Sequence, residues 1–166
     1  MPTNDHEHPS PVSSDSGTLL LVTDPVKDSK GLLRLACQLA RKHRFRLELL
    51  HVVDPEHVSS MPDGQMAILH RLEELARSMR SLQKGVRAIL LFGKPERVVS
   101  ERAADVNATL IAIALNGSNS DRVQEKLARA LAGKCDCPVM TLAPRTPRRR
   151  RTIAFGPGGP ETGLAS

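Results

Sequence analysis

With 166 residues, 40% of them hydrophobic, and a net charge of +6, the chain has the size for one domain with its own core. It has no Trp or Tyr and three Phe, so the core must be aliphatic, and almost no aromatics are available for the platforms on which single-stranded nucleic acid stacks. No stretch nears the roughly 20 apolar residues of a membrane-spanning helix.

The charge is uneven: −3 over residues 1–17, +5 over 18–143 and +4 over 144–166. Residues 1–17, "MPTNDHEHPSPVSSDSG", are rich in Pro, Ser, Asp and His and offer little to bury, which predicts a disordered segment. They have neither the basic start nor the apolar run of a signal peptide, so a cytoplasmic location is expected. His6 and His8 flank Glu7 but read as a solvated tail, because a floppy segment supplies no preformed metal geometry.

From Thr18 the pattern alternates. "TLLLVT" (18–23) is a short unbroken apolar run, as for a strand buried on both faces. In "DSKGLLRLACQLARKHRF", Leu32, Leu35, Ala36, Leu39 and Ala40 recur at helical spacing, with the cations gathered toward the end. "RLELLHVVD" (46–54) reads as a second strand. In the segment after it, Leu69, Leu72, Leu75, Ala76, Met79 and Leu82 form a helical stripe that Gly85 closes. "VRAILLFG" (86–93) is a third strand. "KPERVVSERAADVNA" carries Pro95 in its first turn and buries Val98, Val99 and Ala103. "TLIAIAL" (109–115) is a fourth strand. "DRVQEKLARALAG" places Val123, Leu127, Ala130 and Leu131 on one face before Gly133, and "CPVMTLA" (137–143) is a fifth strand. Strands alternating with helices predict an α/β domain over 18–143, with a parallel sheet covered on both faces. Ligands of such sheets bind at the carboxyl ends of the strands, here "TDPVKDS", "VVDPEH", "FGKPE" and "LNGSNSD". The remainder, 144–166, is rich in Pro, Gly and Arg and is expected to be disordered.

These segments together resemble the universal stress protein family over nearly all of 18–143. "LLLVTD", "LELLHVVDP", "FGKPERVVSERAADVNATLIAIA" and "CPVMTLA" stand in the family's order. The resemblance implies an open five-stranded sheet of order 3-2-1-4-5 with helices on both faces, and a homodimer formed through the last strand, residues 137–143. In nucleotide-binding members it implies ATP held over the ends of strands one and four. Asp24 matches the family position that contacts adenine or ribose, and Val53 the one that offers backbone groups to adenine; a turn acid before Pro25 is the alternative role of Asp24.

ATP-binding members have, after strand four, a glycine, two residues, a second glycine, nine residues, then a glycine and a hydroxyl residue, with backbone amides facing the phosphates. Here the first position falls on Ala114, the second on Gly117 and the last pair near Glu125-Lys126, and no glycine lies between Gly117 and Gly133. One glycine of three remains. Each added Cβ narrows the approach to phosphate, and Glu125 adds repulsion on the order of 1 kcal/mol or more. Asn116, Gly117 and Ser118 keep some donors, and Lys126 a cation. A plain strand-to-helix turn capped by Ser120 or Asp121 accounts for the same residues.

No catalytic constellation appears. His51 lies in a strand and reads as a packed or interface residue; His43, His57 and His70 lack a spaced acid and nucleophile. Cys37, Cys135 and Cys137 make an odd count, which argues against a disulfide scaffold, and the Cys135/Cys137 pair reads as small side chains entering a strand. The expected function is a regulatory or stress-response module with weak or no ATP binding and with no enzymatic activity implied by any local motif. Two alternatives stay open: an ATP-binding module with slow hydrolysis, and a polyanion-tethered module using Arg145 and Arg148, Arg149, Arg150 and Arg151.

Overall fold

The structure, a computed structural model, describes residues 17–27, 30–57 and 62–144. Residues 1–16 and 145–166 lie outside this set, and with them the expectations of terminal disorder and of a polyanion contact by Arg145 and Arg148 to Arg151. The element order is β1 (Thr18–Val22), α1 (Lys30–His43), β2 (Arg46–Val53), α2 (Pro62–Met79), β3 (Arg87–Phe92), α3 (Pro95–Asp105), β4 (Ala108–Ala114), α4 (Asp121–Ala132) and β5 (Val139–Leu142). All the pairings are parallel and the sheet order is β3-β2-β1-β4-β5, as the sequence implied.

The unbroken apolar strands follow from burial on both faces. Leu19 and Leu21 point into one layer, with Leu32, Ala36 and Cys37 of α1 and Leu72, Ala76 and Met79 of α2. Leu20 and Val22 point into the other, with Val99 and Ala103 of α3 and Leu131 of α4. Each fully buried Leu contributes about 1.5–3 kcal/mol. Burial also pushes the Cys37 thiol up, against the lowering effect of Arg41.

Three local expectations change. The α2 stripe stops at Met79, because the chain there tightens into turns in which Leu82 and Gln83 both donate to the Met79 carbonyl; Leu82 is left exposed. The last strand starts at Val139, two residues later than expected, with Cys137 in the turn before it. Val123, placed on the buried face of α4, is 68% exposed, because the first turns of α4 overhang a cavity instead of the core.

Gly93 closes β3 at φ +139°, and a Cβ there would meet Val98 Cγ2 at 2.8 Å. Gly93→Ala therefore combines backbone strain with overpacking and is expected to lower stability by about 2 kcal/mol in urea unfolding. An unchanged midpoint would mean that α3 shifts freely.

Candidate functional site

β1 pairs with β2 on one side and β4 on the other, so the strand order reverses between β1 and β4. Crossovers diverge there and open a crevice at the carboxyl ends of the strands. A cavity of about 510 Å³ occupies this place, within the range of small-molecule sites. Its floor is the end of β1 and β2, with Thr23, Asp24, His51 and Val52; its walls are the first turn of α3 and the overhanging face of α4, with Val123, Gln124 and Leu127.

The polar groups are fixed by the turns that carry them. Asp24 accepts from the backbone N–H of Val26 at 3.0 Å and of Lys27 at 3.3 Å, so it holds its own turn while lining the cavity. This is the turn role weighed for it from sequence, and it does not remove Asp24 from the cavity wall. The His51 Nδ1 lies 2.9 Å from the Thr23 carbonyl. A carbonyl only accepts, so Nδ1 carries the proton and, in the neutral ring, Nε2 is an acceptor. His51 is thus half-buried and packed, as expected, but also faces the site. Asp54 accepts from the Glu56 backbone N–H, which holds its carboxyl below the usual range against the opposing effect of burial.

Most cations around the cavity are committed. Lys94 pairs with Glu56, which pushes its ammonium up. Lys134 pairs with Glu96 at 2.5 Å, and Arg97 with Glu101 at 3.7 Å. Lys126 also lines the cavity, and among the described residues it has no ion-pair partner. Gln124 lines the cavity, and its Oε1 is buried with no hydrogen-bond partner among the described residues.

The loop after β4 is closed on itself. The Asp121 carboxylate accepts from the N–H of Asn116 at 3.0 Å and from that of Gly117 at 2.8 Å. Ser118 N–H donates to Asn116 Oδ1 at 3.0 Å, and the Ser118 and Ser120 hydroxyls share a 2.5 Å bond. Gly117 adopts φ +79°, with open space where a Cβ would lie. Ser120 stands before α4 without a side-chain cap bond, and Asp121 turns back onto the loop. The expected cap is therefore replaced by a carboxylate in a nest of amides, the environment that elsewhere receives an anion.

Of the residues singled out from sequence, the structure brings Asp24 and Lys126 to the cavity. Val53 is buried, its carbonyl accepting from Gly93 N–H at 3.0 Å, and its neighbours Val52 and Asp54 line the wall. Asn116, Gly117 and Ser118 lie in the loop beyond β4, outside the lining. Sequence reasoning missed Thr23, Gln124 and the double role of His51. Only the position of "LHVVD" at a strand end hinted at the last.

A parallel sheet whose strand order reverses at a crevice, with helices on both faces, defines a doubly wound α/β domain. The universal stress protein family model matches residues 16–142, and the chain belongs to that family. No curated protein matches the sequence. Among solved structures, a universal stress protein from Archaeoglobus fulgidus in complex with dAMP is similar at 18% identity and TM-score 0.58, covering 76% of this chain and 97% of that one. A universal stress protein in complex with cAMP is similar at 17% identity and TM-score 0.56, covering 77% and 98%. A family member from Arabidopsis thaliana with AMP bound is similar at 20% identity and TM-score 0.50, covering 82% and 99%. At these identities the likeness carries the fold.

Proposed function

We propose that this chain is a regulatory, stress-response module of its family, acting in the cytoplasm, whose crevice retains a nucleoside-sized pocket but binds ATP weakly or not at all. The observation that supports this most directly is the Asp121 carboxylate on the Asn116 and Gly117 amides. A polyphosphate would have to displace that carboxylate and then lie beside it, against Coulomb repulsion of about 1 kcal/mol at 4 Å in water and more when shielded. The pocket end fits better: it is lined by the Gln124 amide and the Asp24 carboxylate, polar groups suited to amino or hydroxyl donors, and by the Lys126 cation, suited to a single phosphate. ATP, if taken up, would supply adenine and ribose to this end. The relatives with dAMP, cAMP and AMP make a mononucleotide the natural probe.

Calorimetry at sub-millimolar ATP with Mg²⁺ is expected to show no saturable heat, and nucleotide analysis of the denatured protein no stoichiometric ATP. A low-micromolar dissociation constant for ATP overturns this reading in favour of the ATP-binding alternative. In that case Asp24→Ala tests the adenosine end.

The same reading includes a homodimer through β5. This strand ends the sheet, pairs with β4 alone among the described strands, and carries an exposed Thr141 and a Met140 that is 36% exposed. Apolar edges are liabilities that proteins pair or cover. Val139 packs against the core under α4, so Val139→Asp is expected to give monomer or aggregate, and Met140→Asp is the cleaner disruption. Sedimentation showing wild-type monomer at micromolar concentration would refute the dimer.

A further inference from the structure

The end of the domain opposite the crevice carries a second feature. The turn from α1 to β2 presents Arg41, Lys42, Arg44 and Arg46, all exposed, with no acid between Asp28 and Glu48. The turn from α2 to β3 presents Arg80, Lys84 and Arg87, also exposed, with no acid between Glu74 and Glu96. The fold joins them. Gln83 Nε2 donates to the Phe45 carbonyl at 3.0 Å, fastening one turn to the other, and Arg46 and Arg87 open the adjacent strands β2 and β3. Both arginines line a cleft of about 610 Å³.

None of these seven cations has an ion-pair partner among the described residues. Glu48, which lines the same cleft, is buried and held by Nε and Nη2 of Arg102. Asp105 also lines the cleft, while the cations cluster at the starts of β2 and β3.

A second observation marks the face. The end of α1 is a Schellman turn: Phe45 N–H donates to the Ala40 carbonyl at 2.8 Å and Arg44 N–H to the Arg41 carbonyl at 3.3 Å. Its left-handed position, where glycine is favoured, is held by Arg44 at φ 56°. The chain keeps a cation at a site where a side chain is strained, in the middle of the patch.

We infer that this face binds the phosphate backbone of double-stranded nucleic acid. Cations without a carboxylate partner on two fastened turns suit phosphates spaced along a duplex, with Arg80 held in place by its Nε bond to the Val86 carbonyl. Phe45 is half-buried and stacked on His43 at 5.3 Å, so among the described residues the face offers one exposed imidazole and no extended aromatic platform for unstacked bases. Among the described residues, Leu82, 43% exposed, is the apolar side chain these turns present, too little for insertion into a lipid surface. Contacts confined to phosphates give affinity with little sequence preference. The site is independent of the crevice and of the nucleotide reading.

The test is fluorescence anisotropy of a labelled mixed-sequence duplex of about 24 base pairs, titrated with the full chain across salt. Engagement of about five phosphates predicts a slope of log K against log salt near −4.5. Arg46→Glu with Arg87→Glu is expected to weaken binding more than about ten-fold at fixed salt and to reduce the slope by about two. Should that pair fail to fold by circular dichroism, Arg41→Gln with Lys84→Gln, both fully surface-placed, is expected to reduce the slope likewise. A variant with Arg148 to Arg151 all changed to Gln is expected to keep most of the binding, because the seven cations of the face are unchanged. No binding at low salt, equal binding by the folded face variants, loss confined to the tail variant, or tighter binding to phosphatidylserine vesicles than to duplex would each overturn the inference.

Discussion

Arg102→Ala is expected to lower the stability of the domain by about 3–5 kcal/mol, the cost of stranding one partner of a buried ion pair. Glu48 lies within β2, its side chain 4% exposed, and Arg102 reaches it from α3 with Nε at 2.6 Å and Nη2 at 3.0 Å. The two parallel bonds satisfy both carboxylate oxygens, which a lysine cannot do from one nitrogen, so Arg102→Lys is expected to recover only part of the loss. Replacing both residues by Leu removes the charge and its partner together and is expected to restore most of the stability. Urea unfolding at neutral pH measures all three. A loss below about 1 kcal/mol for Arg102→Ala would mean that water reaches Glu48 and that the pair behaves as a surface bridge.

Asp121→Ala is expected to tighten ATP binding at least about ten-fold while lowering stability by about 1–2 kcal/mol. The change frees the amides of Asn116 and Gly117, now held by the carboxylate, and removes a negative charge from the place a phosphate would occupy. Coulomb's law puts that charge at about 1 kcal/mol in water and about 4 kcal/mol at an effective dielectric of 20, each at 4 Å, and about 1.4 kcal/mol is ten-fold in affinity. The stability loss comes from two hydrogen bonds to an ionised acceptor in a part-exposed loop. Asp121→Asn, which keeps an acceptor but not the charge, should fall between. Opposite signs for affinity and stability identify a carboxylate that occupies the loop at the expense of ligand. Unchanged ATP affinity in Asp121→Ala would remove Asp121 from the account and leave the two missing glycines as the remaining ground for the proposed weak binding.

Much of the architecture is legible along the chain. "TLLLV" and "TLIAIA" lack alternation because both faces of their strands are covered, and period 3.6 in α1 and α4 marks amphipathic covers. That information is local: side-chain periodicity reports how many faces are buried. The loss of two glycines after β4 is legible only against the spacing that the family resemblance implies. The order of the strands came through family resemblance, and the parallel pairings bear it out.

What only the tertiary structure decided concerns contacts between distant residues. Glu48 sits in an apolar run, and nothing in "RLELL" names Arg102, 54 positions away, as the group that makes its burial tolerable. Val123 fits the apolar stripe of α4 by spacing, yet it overhangs the crevice, because periodicity tells which side of a helix is apolar and not what lies beneath each turn. Asp121 reads from sequence as a helix cap, and its carboxylate instead turns back to the amides of a loop whose path depends on where β4 ends and α4 begins. The basic residues of two turns, some forty positions apart, become one surface because β2 and β3 are neighbours and Gln83 ties the turns together. Local pattern determines which segments are strands and helices; pair energies between segments act only after the sheet has assembled, and they decide which side chains the crevice and the opposite face present.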